Sequence, residues 1–246
     1  MPETLACLIT RPEPGAAATA ARVAALGWRP VLAPALILSP LSIEPVPGAR
    51  AALLPSAAAI PALAAAVPSG LPVLAVGEGT AAAARAAGFA SVEAAGGDAA
   101  SLAALASARL DPRAGPLLLA AGRGYGEELA SDLRARGFAV ILREAYAAAE
   151  ATELPPEVRD ALRAGRVGAA LFLSPRSARA AVALLEAAGL GAAATGIRAL
   201  ALSARVAQVL TDQALTKLTW KGLDVAPRPD QDALLDLLGP APSPAS

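Results

Sequence analysis

Short apolar runs alternate along most of this chain with stretches whose apolar positions recur at helical spacing, and turns rich in Gly, Pro and Ser separate them. Leu5-Ala6-Cys7-Leu8-Ile9 is the first run, and Thr10-Arg11-Pro12-Glu13-Pro14-Gly15 breaks it. From Ala16 to Leu26 the positions Ala20, Val23 and Ala24 share a helical face, and Gly27 ends the helix. Val31-Leu32-Ala33 predicts a second strand, so the chain opens as a strand-helix-strand unit of a parallel sheet. The unit then recurs. Strands are predicted at Ala51–Leu54, Val73–Val76, Ser91–Glu93, Leu117–Ala120 and Phe138–Leu142. Helices are predicted between them at Ala57–Ala66, Ala81–Ala87, Ala99–Ala108 (capped by Asp98) and Glu127–Arg136. Further on, helices are predicted at Glu157–Ala164, Ala178–Ala188, Ser203–Leu210 and Gln231–Leu238. Strands are predicted there at Ala169–Leu173, Ile197–Leu202 and Leu218–Trp220.

Two stretches break this rhythm. Pro34–Gly48 is rich in Pro and Ser, and Arg143–Glu150 reads REAYAAAE directly after a strand-like run. Both read as crossings between two α/β lobes. Ala52-Leu53-Leu54-Pro55-Ser56 resembles Leu171-Phe172-Leu173-Ser174-Pro175, an internal echo that fits two similar lobes. The central lobe has its own set of strands, whereas the outer one needs both ends of the chain to complete its sheet. The expected organisation is therefore a discontinuous outer lobe of residues 1–36 and 150–240, an inserted lobe of residues 48–142, linker segments 37–47 and 143–149, and a flexible tail 241–246. On this reading a cleft lies between the lobes and Tyr146 stands at it.

Composition narrows the chemistry. The chain has 246 residues, 55% hydrophobic and 17% charged, which is ample for a core; aromatics are 3%, so Leu, Val and Ala must pack it. Lys+Arg and Asp+Glu both number 21, which argues against broad nucleic-acid binding while leaving room for a local basic pocket. With 0 His, a His-based triad or His metal site is ruled out, and Cys7 alone can form neither an internal disulfide nor a zinc cluster. Cys7 in an apolar strand reads as a small buried hydrophobe. MPETLACLITRP lacks a basic segment followed by an apolar core, so it is not a signal peptide. The apolar runs break well short of a membrane span, and a soluble cytoplasmic protein is expected.

The strand-to-helix turns hold most of the small polar residues: Thr10, Ser56, Gly77, Thr80, Gly122, Ser174 and Ser203. In open parallel sheets the ligand crevice lies at the carboxyl ends of the strands, and free N–H groups at helix starts favour anions. Simple N-capping explains any one of these residues; the set points to an anion-binding cleft. Gly122-Arg123-Gly124-Tyr125-Gly126, with Glu144 downstream, suggests a dinucleotide fingerprint but fails at its third glycine, where this chain has Glu127. Glu127-Glu128 reads as an exposed first helical turn, and Glu13 precedes a proline, so neither offers a catalytic carboxylate pair. Side chains suited to acids or anions at the expected cleft are Tyr146, Arg11, Arg123, Arg143, Arg176 and Arg205.

The ordered motifs resemble those of the uroporphyrinogen-III synthase family. LITRPEPGAAATAARVAALGW is similar to that family's opening strand, Thr-Arg-Pro turn and helix; VGEGTAAAARAAGF and LLLAAGRGYGEELASDLRARGF resemble its inner-lobe turns and helices. REAYAAAE resembles the segment that carries its tyrosine, LFLSPRSARA its Ser-Pro turn and ALSARVAQVL its last helix start. Two turns depart from it: Pro55-Ser56 stands where many members have Thr-Ser, and Ser203-Ala204-Arg205-Val206 where many have Gly-x-Thr-Thr. The resemblance implies an α/β fold of two flavodoxin-like parallel-sheet lobes joined by a two-segment linker, the second lobe inserted into the first. It implies cyclisation of hydroxymethylbilane, a linear tetrapyrrole polycarboxylate, to uroporphyrinogen III with inversion of ring D. Such a reaction needs no metal and no other cofactor. Thr10, Arg11, Ser56, Gly77, Thr80, Gly122, Arg123, Ser174, Arg176 and Ser203 would then bind substrate, and Tyr146 would protonate the departing hydroxyl. A monomer is expected, with the preceding pathway enzyme as a candidate partner and no nucleic-acid or membrane partner. Two other readings stay open at this point: a catalytically weak or inactive tetrapyrrole-binding module of the same fold, and a nucleotide-dependent α/β enzyme.

Overall fold

The computed structural model describes residues 4–214 and 216–242. Most of the tail expected at 241–246 therefore lies outside the described residues. In chain order the described residues form β1 (Ala6–Ile9), α1 (Gly15–Ala25), β2 (Arg29–Leu32), β3 (Leu36–Pro40), β4 (Ala51–Leu54), α2 (Ile60–Ala66), β5 (Val73–Ala75), α3 (Glu78–Ala86), β6 (Val92–Ala94), α4 (Ala99–Arg109), β7 (Leu117–Gly122), α5 (Glu127–Ala135) and β8 (Val140–Glu150). They continue with α6 (Pro156–Arg163), β9 (Val167–Phe172), α7 (Pro175–Ala187), β10 (Arg198–Ala201), α8 (Ala204–Thr211), β11 (Gly222–Val225) and α9 (Gln231–Leu238). Two compact units result: Met1–Ile37 with Ala149–Ser246, and Leu38–Ala148.

The first unit has a sheet of order β11-β10-β9-β1-β2. Every pair in it is parallel, with Cys7 opposite Pro30 on one side and Ala169 on the other. Counted within the unit this is the doubly wound order 2-1-3-4-5, and it reverses between β1 and β9. β1 is buried along its whole length because helices cover both faces. Ala6 and Leu8 pack with Phe172, Val158 of α6, Val182 of α7 and Val206 of α8. Cys7 and Ile9, on the opposite face, pack with Val23 of α1 and with Leu234 and Leu235 of α9.

The second unit has a sheet of order β3-β8-β7-β4-β5-β6. From β4 to β8 all its pairs are parallel. Counted from β4 the order is 3-2-1-4-5, also doubly wound, reversing between β4 and β7. Ala52, Leu54 and Leu118 face Ile60 and Leu63 of α2 and Ala84 of α3. Leu53, Leu117 and Leu119 face Leu102 of α4 and Leu129 and Leu133 of α5.

Several elements differ from the sequence reading, the first being β3, a strand within the Pro34–Gly48 stretch that reads as a linker. REAYAAAE, read as a crossing, is regular strand: it continues β8 without a break to Glu150, across the boundary between the units at Ala148–Ala149, held in part by Leu41 N–H donating to Ala145 O at 2.9 Å. Leu218–Trp220 is not a strand, and the last strand is Gly222–Val225. The apolar spacing of Leu218 and Trp220 serves packing instead, with the Trp220 ring edge-on to Phe172 at 5.4 Å. α3 begins at Glu78, so Thr80 lies inside the helix and not in the turn before it. α7 begins at Pro175, whose fixed φ suits a first helical position.

Candidate functional site

At the carboxyl edge of the first unit, the sheet order reverses between the β1–α1 and β9–α7 turns. Thr10 follows β1 directly and is buried; its hydroxyl donates to Leu171 O at 2.7 Å, tying the two turns together. Arg11 lies across the start of α1, so close that a Cβ at Gly15 would stand 2.3 Å from its Nη2. Its Nη1 donates to Thr19 Oγ1 at 3.3 Å and Gln231 Oε1 at 3.1 Å, and Gln231 Nε2 closes the ring by donating to Thr19 Oγ1 at 3.0 Å. Burial lowers the Arg11 pKa from its ordinary value, and the nearby Glu13 charge opposes that shift. Ser174 caps α7, accepting from Ser177 N–H at 3.1 Å, with the two hydroxyls 2.8 Å apart. Arg176 is half-buried in the first turn of α7. Ser203 caps α8 through its backbone alone; its side chain accepts no cap hydrogen bond.

In the second unit the order reverses between the β4 and β7 turns. Ser56 accepts from Ala58 N–H at 3.2 Å. Gly77 precedes α3 in extended backbone, and a Cβ there would stand 3.4 Å from Gly97 Cα, in ordinary contact with the β6 turn. Gly122 ends β7 and pairs with Tyr146 of β8. The ladder shifts register between Ala121 and Gly122: Ala121 pairs with Glu144 and Gly122 with Tyr146, leaving Ala145 as an extra residue. Neighbouring strand residues ordinarily face opposite sides. Here Ala145 and Tyr146 both pack on the α2/α3 side, because the bulge turns the Tyr146 ring over. Arg123 N–H donates to Tyr146 O at 2.8 Å, and the Arg123 side chain pairs with Glu144 at 3.0 Å. Glu144 also accepts from Gly124 N–H at 3.2 Å, so the acidic residue of the apparent dinucleotide fingerprint shapes its own turn.

The structure thus brings Gly122, Arg123 and Tyr146 together at one strand end, and Thr10 to the β1–β9 reversal. Ser56 and Gly77 occupy turns after the adjacent strands β4 and β5, while Thr80 sits one step into its helix. Among the described residues the Tyr146 hydroxyl has no hydrogen-bond partner, although its ring is half-buried. Tyr125 is a residue the sequence reading did not single out: it projects from the same turn with 56% of its surface exposed. Its signal was its place between Gly124 and Gly126, whose φ of 77° and 96° mark a tight apex that displays the residue between them. Among the described residues no group of His, Cys, Asp or Glu side chains could hold a metal ion, and no helix is long and apolar enough to cross a membrane.

Two doubly wound α/β units, one inserted into the chain of the other, with polar turns at the carboxyl edge of each, define a two-unit α/β protein. The sequence matches the family described as uroporphyrinogen-III synthase HemD over residues 17–236, and the chain belongs to that family. The crystal structure of uroporphyrinogen-III synthetase from Helicobacter pylori 26695 is similar in fold, with a TM-score of 0.59 at 15% identity over 95% of this chain and 98% of that one. A mutant uroporphyrinogen III synthase from the extremely thermophilic bacterium Thermus thermophilus matches at 21% identity over 95% of this chain and 97% of that one, with a TM-score of 0.42. No curated protein matches the sequence.

Proposed function

We propose that this protein cyclises hydroxymethylbilane to uroporphyrinogen III, inverting ring D, as a lyase that eliminates water. Within the structure, Tyr146 is the observation that carries the reading. Its phenol is seated against Gly122 at a carboxyl strand end, with a hydroxyl that no protein group engages among the described residues. Tyr146 gives its proton to the hydroxyl of the bilane, which leaves as water and produces an azafulvene. The substituted carbon of ring D attacks the azafulvene carbon to form a spiro intermediate. That intermediate opens and recloses with ring D reversed, and the proton lost as the last ring regains aromaticity returns the phenolate to phenol. Water leaves and a carbon–carbon bond forms with no net oxidation or reduction, so the chemistry calls for no redox cofactor.

Without an enzyme the bilane closes to the non-inverted isomer, so the protein must hold a flexible polyanion in one shape. The helix starts after Thr10, Ser174 and Ser203 and the turns at Ser56, Gly77 and Gly122 offer backbone N–H groups for its carboxylates, with Arg11, Arg123 and Arg176 beside them. The protein acts as a cytoplasmic monomer in this reading, receiving its unstable substrate from the preceding enzyme. The deciding experiment supplies freshly made hydroxymethylbilane to purified protein, oxidises the products and separates the isomers. Isomer III in excess is expected; isomer I alone at the uncatalysed rate overturns the proposal.

A further inference from the structure

Most arginines of this chain are paired with a carboxylate or a backbone carbonyl, as are Arg22, Arg85, Arg109 and Arg198. Among the described residues the exceptions are Arg113, Arg179 and Arg205, whose side chains have no hydrogen bond or ion pair. Two of these three border one hollow. Arg179 of α7 and Arg205 of α8, with Pro175, Gln208, Val209 and Asp212, line a space of about 240 Å³ in the first unit. Both helices start at the carboxyl edge of the sheet, and neither has an acidic residue in its first turn. Arg205 therefore stands where the helix dipole repels a cation. The one carboxylate on the hollow, Asp212, already accepts the backbone N–H of Ala214 at 2.9 Å. Two guanidinium groups share this hollow with neither ion-paired to a carboxylate, whereas most of the other arginines among the described residues have such a pair.

We propose that Arg179 and Arg205 form a carboxylate clamp that grips side-chain acids of the substrate from the groove between α7 and α8. The inference rests on the proposed function for the identity of the polycarboxylate, not for the clamp itself. A guanidinium presents paired N–H donors that match a carboxylate, and two of them distinguish a molecule carrying many acids from one carrying a single acid. The clamp supplies binding rather than chemistry: it holds the substrate equally before and during the reaction.

The test uses Arg179→Gln, Arg205→Gln and the double variant of the full chain, with Arg113→Gln as a control that removes the same charge outside the hollow. Each is titrated calorimetrically with benzenehexacarboxylate at low salt and assayed with hydroxymethylbilane. The single variants are expected to weaken the probe and raise KM by about 3- to 10-fold, with kcat within about twofold, as for a partly exposed charge contact of uniform binding. The control should match the unaltered protein in both measurements. Equal affinity and KM in the double variant and in Arg113→Gln overturn the clamp. If the unaltered protein makes no isomer III, the functional reading fails, and the calorimetric arm still decides the clamp by the same comparison.

Discussion

A Cβ placed on Gly122 would stand 2.7 Å from the Cζ of Tyr146 and 2.9 Å from its hydroxyl oxygen. Gly122 does not need to be glycine for its backbone, since its φ is not among the positive ones. Its side-chain position is taken by the Tyr146 phenol, which leaves no room for a Cβ. Gly122→Ala is therefore expected to push the ring aside, lower turnover at least as far as removal of the phenol does, and cost about 1–3 kcal/mol in stability. In a Tyr146→Ala background the same change should cost little, and a double-mutant cycle by chemical unfolding reads the coupling directly.

Tyr146→Phe tests the acid role separately from packing. The ring stays and the hydroxyl loses no protein partner, so the unfolding midpoint should hold while kcat falls toward the bottom of the roughly 10²–10⁴-fold range of general acid catalysis. Isomer III should remain the main product, because folding the bilane does not depend on one phenol. Full turnover would move the donor to a water or to a substrate carboxyl.

Gly15→Ala probes Arg11 without touching it. The new methyl group would lie 2.3 to 2.5 Å from the guanidinium, displacing it from Thr19 and Gln231. The far end of a flexible side chain can swing away cheaply, so stability should change by less than about 1 kcal/mol. KM should rise severalfold with kcat nearly constant, as steady-state kinetics would show. An unchanged KM would confine Arg11 to joining α1 and α9.

Burial raises the Cys7 thiol from 9.0 to about 12. The unfolded thiol ionises near 9 and the folded one does not, so the unfolded state gains from pH 9 upward. Stability from this group is intact below pH 9 and falls by about 1.4 kcal/mol per pH unit between 9 and 12. Cys7→Ala should flatten that part of the stability profile. Native protein at pH 8 should resist a thiol-alkylating reagent until it is unfolded.

Exhaustive chelation and dialysis should leave activity intact, as measured by isomer-resolved turnover before and after treatment. A loss restored by a divalent ion or a nucleotide would assign the turns of the second unit to a different chemistry.

The doubly wound fold was legible because its elements carry strong local marks. β4 and β7 are unbroken apolar runs, and α4 and α9 each begin at an aspartate that caps them. Where one residue type serves two purposes, the pattern misled. The alanines of REAYAAAE carry no strand signature, and hydrogen bonds to neighbouring strands hold them extended. Leu218 and Trp220 have strand-like spacing but are anchored as core contacts, with Trp220 Nε1 donating to Leu210 O at 3.2 Å. For the site, residue types at turns were readable, whereas their engagements were not. Nothing in the order of letters tells that Arg123 spends its charge on Glu144 while Arg179 and Arg205 keep theirs. Tyr125 was passed over because its turn was weighed as a nucleotide fingerprint.

The extra residue in β8 makes the direction of Tyr146 a matter of counting rather than of composition. With the bulge present, two consecutive side chains lean to the α2/α3 side; were the strand straightened with all its residues kept, alternation after Ala145 would carry the phenol away from Gly122. A scan that exchanges side chains one at a time would find Ala145 tolerant of small replacements and miss this dependence. Deleting Ala145 would instead seat the tyrosine directly after Glu144, in the position Ala145 now holds, so the phenol would keep its side and lose only the bulge.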